Sequence, residues 1–172
     1  MAYDPEVNFI IEEAFKNNFS SIHRIQNKGL MMQYQACKAA MVDRLGRSDI
    51  EESLFHGTDE NTCDNINNFG FNRSFCGKNA TYFGNGTYFA VEADYSAQQK
   101  YAQPDAHGVQ YMYLAKVLVG DYTKGSQGMK TPPNKPNSNQ QYDSAVNDES
   151  KPGIYVIFHD TKSYPEYLIK FQ

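Results

Sequence analysis

From about residue 52 the chain breaks into short aromatic and β-branched runs. Nothing between them repeats as a strand–helix–strand unit. Ser53-Leu54-Phe55-His56, Thr87-Tyr88-Phe89-Ala90-Val91 and residues 111–119, 154–158 and 167–171 read as strands. Two helices interrupt them, one from a cap at Thr58 or Asp59 to Gly70, the other over 93–101. The first ~50 residues have helical spacing instead, through Val7, Ile10, Ile11, Ala14 and Phe15, then Leu30, Met31, Tyr34, Cys37 and Met41. Helices first and mostly strands afterwards indicate an α+β fold with antiparallel sheets. Gly84-Asn85-Gly86 lacks the third glycine of a dinucleotide fingerprint and leads into a strand, so a Rossmann unit is excluded.

With 172 residues, 40% of them hydrophobic and 14% aromatic, the chain has the size and apolar content of one domain. Residues 1–50 form its helical N-terminal part and 51–172 its β-rich core. Residues 120–153, rich in glycine, proline and asparagine, are expected to be one long irregular segment. The formal charge of −4 and the lack of any run of three Lys or Arg argue against a dedicated nucleic-acid surface. No apolar stretch approaches the ~20 residues that span a bilayer. The opening MAYDPEVNF is acidic where a secretory leader is basic and then apolar, and Met-Ala leading straight into a helix suggests a piece of a longer chain.

Cys37, Cys63 and Cys76 are odd in number and contain no C-x-x-C pair, so neither disulfides nor structural zinc are expected. His23, His107 and His159 have no metal-ligand spacing. Sequons begin at Asn18, Asn72, Asn79 and Asn85, two of them inside the glycine-bearing stretch 74–86. A glycan there would obstruct a ligand loop. We read the sequons as unused and expect an intracellular protein of cytoplasm or nucleus.

Six segments then occur in order: Leu54-Phe55-His56-Gly57-Thr58, Gly70-Phe71-Asn72-Arg73-Ser74, Gly84-Asn85-Gly86-Thr87-Tyr88-Phe89-Ala90, Tyr95-Ser96-Ala97, Tyr142-Asp143-Ser144-Ala145-Val146 and Tyr164-Pro165-Glu166-Tyr167-Leu168-Ile169. Taken singly, His56 would be an ordinary turn histidine and Tyr88 or Tyr101 an ordinary core aromatic. As an ordered set they resemble the catalytic domain of poly(ADP-ribose) polymerase-like (diphtheria-toxin-like) ADP-ribosyltransferases. They are nearest the intracellular mono-ADP-ribosyltransferase branch whose larger members carry macrodomains.

The resemblance implies two packed antiparallel sheets with NAD, the co-substrate, in the cleft between them, and no metal. It implies that His56 bonds the adenosine ribose, with Thr58 beside it. Gly57 and Ser96 would hold the nicotinamide carboxamide, Gly57 being small so that the ring has room. Tyr101, with Tyr95 nearby, would stack on that ring, and Tyr88 would wall its other side. Phe83 would belong to the loop over the ligand, with Gly77, Gly84 and Gly86 easing close approach, and Arg73 would reach the adenosine side or the pyrophosphate. Ser96 and Tyr101 lie five residues apart, about 140° around a helix, so one of them must sit at a helix end.

Ile154 stands where polymer-forming relatives carry a glutamate. Isoleucine accepts neither a hydrogen bond nor a proton, and its neighbours Gly153 and Tyr155 are not carboxylates. Glu149 and Glu166, the nearest glutamates, fall outside the strand. The resemblance thus implies transfer of a single ADP-ribose to a protein acceptor, the chain itself or a partner, with acidic side chains as acceptors. It also implies nicotinamide-mimicking inhibitors and a monomer. The alternatives are a catalytically weak or inactive NAD-binding module of the same fold, and ADP-ribosylation of nucleic-acid ends.

Overall fold

Strands β1 (Phe19–Arg24), β2 (Glu51–Thr58), β3 (Thr87–Ala90) and β4 (Gln110–Leu118) are followed by β5 (Tyr122–Lys124), β6 (Ser144–Val146), β7 (Ile154–Ile157) and β8 (Ser163–Phe171). They hydrogen-bond in the order β1-β8-β4-β2-β3-β7-β6-β5 in a computed structural model that describes residues 5, 12, 19–75 and 81–172. Every pairing is antiparallel except β5 with β6, which is parallel. The order hides a division. β2 follows β4 through eight register pairs, whereas β2 meets β3 only at Phe55↔Ala90. Two four-stranded halves are thus hinged at one residue pair. Their side chains nevertheless form one core, in which Leu54, Tyr113 and Leu168 of one half cluster with Phe89, Val146 and Tyr155 of the other. This is the α+β arrangement of two packed sheets, and a gap runs along the hinge.

Helix α1 (Lys28–Leu45) starts at Asn27, whose side chain accepts from Leu30 N at 3.1 Å, and stops at Gly46 in the left-handed region. It buries Tyr34 and Met41 against Ile50, Leu118 and Tyr164. Helix α2 (Glu60–Phe69) is capped by Asp59, which accepts from Thr62 N at 3.0 Å, and ends at Gly70. Both ends agree with the sequence reading, because capping is a local property. Central β4 buries Met112, Tyr113, Leu114, Val117 and Leu118. Large side chains of this kind are worth about 1.5–3 kcal/mol each on burial.

Three expectations need correction. The N-terminal 50 residues are not all helical, since β1 pairs along β8. The first expected helix, through Val7 and Phe15, lies outside the described residues. Residues 120–153 are not irregular throughout, because β5 and β6 close the sheet edge there. Asp121 accepts from both Arg47 (2.7 Å) and Lys135 (2.6 Å), pinning the segment to the end of α1. Finally, the helix expected over 93–101 is only one turn, α3 (Ala93–Ser96), followed by turns.

Candidate active site

The hinge opens into a cleft of about 480 Å³, within the ~300–1,000 Å³ range of small-molecule sites. Register places its floor. Ile154 pairs with Ala90, and Ala90 with Phe55, the residue before His56. Two strand spacings of about 4.8 Å therefore separate Ile154 from Phe55. At the point where the β2–β3 ladder stops, the His56 side chain continues it, with Nδ1 2.8 Å from the carbonyl of Tyr88. A carbonyl only accepts, so Nδ1 carries the proton and neutral His56 presents Nε2 as an acceptor. Phe71 and Phe89 pack on the ring at 5.1 and 5.5 Å.

Burial holds the His56 pKa below its ordinary 6.5, against a smaller opposing pull from the Tyr88 carbonyl. The imidazole is therefore neutral at pH 7. Between the depressed pKa and 6.5 the unfolded chain takes up a proton that the folded one refuses, so stability falls as pH drops through that window and levels off below it. The acid limb of kcat/KM for NAD is expected below pH 6.5. A pH–rate profile with its acid limb at or above 6.5 would contradict this assignment of His56.

Ser96 is the last residue of α3 and Tyr101 lies in the turn beyond it, which resolves the five-residue spacing. Ser96 Oγ is buried and donates to Phe55 O at 3.2 Å, leaving its lone pairs for a ligand N–H. Tyr95 and Tyr101 stack with centroids 5.1 Å apart and hydroxyls 2.8 Å apart. Burial, then the bond to Tyr101, pushes the Tyr95 phenol up to about 12, so it stays protonated. His56, Gly57, Thr58, Phe83, Tyr88, Tyr95, Ser96, Tyr101 and Ile154 all line the one cleft.

Arg73 does not. Its Nη1 donates to Phe158 O at 2.6 Å and its backbone N–H to Asp160, so it ties the segment after α2 to the end of β7. The role expected for Gly57 also changes. A β-carbon there would lie 2.2 Å from Ser96 O, so the glycine makes room for the 96–102 strap, the wall of the pocket. Gly84 and Gly86 likewise face Phe158 and Ile157 of the β7 side, while Gly77 and Cys76 lie outside the described residues. The Tyr88 hydroxyl donates to Gly84 O at 2.8 Å and accepts from Phe83 N at 3.0 Å. It holds the loop; its ring is what faces the cleft.

Several cleft residues carry no motif. Thr62, Asn65, Ile66 and Phe69 come from one face of α2, a helix whose position the strand order alone decides. Asn147 takes the N–H groups of Gly153 and Ile154 on its Oδ1, both at 2.9 Å, and so sets where β7 begins. Asp59 is the one carboxylate among the described lining residues, and it caps α2. Among the described residues no three His, Cys, Asp or Glu gather as a metal site requires. No helix among them is long and apolar enough to cross a membrane.

Known proteins resemble the chain along most of its length. The chain is 42% identical to the human protein mono-ADP-ribosyltransferase PARP14 over 98% of its length, 44% identical to mouse PARP12 over 87%, and 34% identical to human PARP11 over 98%. It spans 10%, 21% and 56% of those proteins, respectively. The profile of the poly(ADP-ribose) polymerase catalytic domain matches residues 11–172, nearly the whole chain, and the chain belongs to that family.

Proposed function

We propose that this domain is a mono-ADP-ribosyltransferase that takes one ADP-ribose from NAD and joins it to a protein side chain, releasing nicotinamide. The observation that carries the reading is Ile154: 6% exposed, on the cleft floor, with no carboxylate beside it on β7. A side chain that neither accepts a hydrogen bond nor takes a proton cannot activate a ribose hydroxyl for chain extension. The relatives compared above are named as mono-ADP-ribosyltransferases, which supports the same reading.

The residues fit a dinucleotide. Gly57, Ser96 and the Tyr95–Tyr101 pair suit a flat carboxamide-bearing ring, and neutral His56 suits a ribose hydroxyl that donates to Nε2. NAD supplies the reactive bond, between nicotinamide and ribose. The protein holds that bond in a fixed orientation and excludes water from it. An acidic side chain, of this chain or a partner, would arrive already ionised and need no base. An intracellular setting, in which Cys37 and Cys63 remain free thiols, accords with this use.

Incubation with labelled NAD should modify the domain or an added acceptor as a discrete species. A ladder of long polymer would refute single-unit transfer, and no labelling would refute the enzyme. Ile154→Glu should not yield polymer. It should also lower stability by about 1–3 kcal/mol through burial of a carboxyl group, read by thermal melting. Polymer from this variant on a denaturing gel would show that the side chain was the only barrier.

A further inference from the structure

The loop that brings Thr81, Tyr82 and Phe83 to the cleft is held twice. Its own strand holds it through the Tyr88 hydroxyl, which bonds Gly84 O and Phe83 N. The turn that follows β5, residues 125–129, holds it again. Asn85 N donates to the carbonyl of Met129 at 2.7 Å. Phe83, Tyr88 and Met129 all pack against the buried cluster of Ala145, Val156 and Phe158. Gly125 lies directly against Phe83. A β-carbon at Gly125 would run into the Phe83 carbonyl oxygen and sit 2.7 Å from its Cβ and 2.9 Å from its carbonyl carbon. Gly125 is not among the glycines with left-handed backbone, so this position uses the missing side chain and not conformational freedom.

That turn is itself fixed. Gly125 N donates to Val146 O at 2.8 Å, continuing the β5–β6 pairing, and Met129 N to Ser126 O at 3.2 Å. Asp121, just before β5, is pinned by Arg47 and Lys135. No residue of 120–135 is among the described residues that line the cleft. The turn therefore acts on the site through the loop 81–85.

We infer that Gly125 and Met129 are positioning residues for the dinucleotide. The turn is a brace that sets how closely Thr81, Tyr82 and Phe83 approach it. The inference rests on NAD being the donor. Benzamide fills only the nicotinamide pocket, whose strap is tied to Phe55 and Gln110 instead. The two ligands should therefore respond differently to a disturbed brace.

Gly125→Ala should raise the KM for NAD about tenfold, because the clash is with backbone and the loop must shift. The kcat, and benzamide affinity by calorimetry, should stay within roughly twofold, as expected when only uniform binding is lost. Met129→Ala should raise the KM about threefold, and Met129→Leu, which keeps the volume, should restore it. Tyr88→Phe acts on the same Phe83, so its effect on KM and that of Gly125→Ala should not multiply fully in the double variant. Full multiplication would overturn the inference. So would an unchanged KM in both Gly125→Ala and Met129→Ala, or equal losses of NAD and benzamide affinity, which would mean that the whole cleft had been disturbed. If Gly125→Ala does not fold, the two Met129 variants decide the matter by the same KM. The two readings fail separately: a wild-type domain that neither binds nor uses NAD refutes the donor, whereas normal wild-type labelling with an indifferent KM in these variants refutes only the brace.

Discussion

Gly57→Ala should weaken benzamide binding about 30-fold, roughly 2 kcal/mol. The added β-carbon would sit 2.2 Å from Ser96 O, 3.0 Å from Ala102 N and 3.2 Å from the carbonyl carbon of Tyr101. All three are backbone atoms, so no rotamer change relieves the clash. The strap must move, and it is tied down. Gln110 Nε2 donates to the carbonyls of Ala97 and Ala102, each at 2.8 Å, and Ser96 Oγ to Phe55 O. Displacing it carries Ser96 and Tyr101 away from the ring they would hold. A tryptophan at position 57 is uninformative, because the smallest side chain already collides. Calorimetry with benzamide, on protein shown folded by circular dichroism, is the measurement. Binding within threefold of wild type would mean that the strap yields and is not the wall.

Asp143→Ala should lower stability by about 3–5 kcal/mol, because it removes one partner from a buried charge cluster. Asp143 is 3% exposed and ends the 120–143 segment just before β6. Its Oδ1 accepts from Arg44 in the last turn of α1 and from Lys162 Nζ at 3.0 Å. Its Oδ2 accepts from Asp121 N at 3.1 Å. Without the carboxylate, the Lys162 ammonium, 11% exposed, loses its counter-ion, and three elements lose their common anchor. For a domain of this size the melting temperature should fall by about 10 °C. A drop under 1 kcal/mol in chemical denaturation would mean that the remaining groups repair the site. Asp143→Asn keeps the acceptor for Asp121 N and should cost less than Asp143→Ala. Equal losses would assign the effect to charge alone.

The contrast between these two positions shows how far the chain could be read without coordinates. Asp143 was visible only as part of a motif; nothing nearby announces Arg44, ninety-nine residues earlier, as its partner. Gly57 was visible as a glycine in the right place, but the atom that forbids a side chain belongs to Ser96. The resemblance set Arg73 toward the adenosine side or the pyrophosphate, yet Phe158 O takes its guanidinium.

What the sequence by itself determined is local or ordered: a helix starting from a cap at Thr58 or Asp59 and ending at Gly70, the strand character of 111–119 and 154–158, the ordered motifs from Leu54 to Ile169, and the absence of a carboxylate at Ile154. Capping, side-chain period and the chemical identity of one residue act over a few positions, so they can be read along the chain. The tertiary structure alone decided the rest. Phe-Ser-Ser-Ile-His-Arg is a strand only because β8 offers it an edge, and a three-residue β5 only because β6 does. It decided that the sheet is hinged at the single pair Phe55↔Ala90, that His56 bridges the gap beyond it, and that Phe69 and Tyr82 share one cleft. Each of these is set by backbone groups distant in sequence, and strand propensity reports what lies on a sheet far more weakly than what the sheet places opposite it.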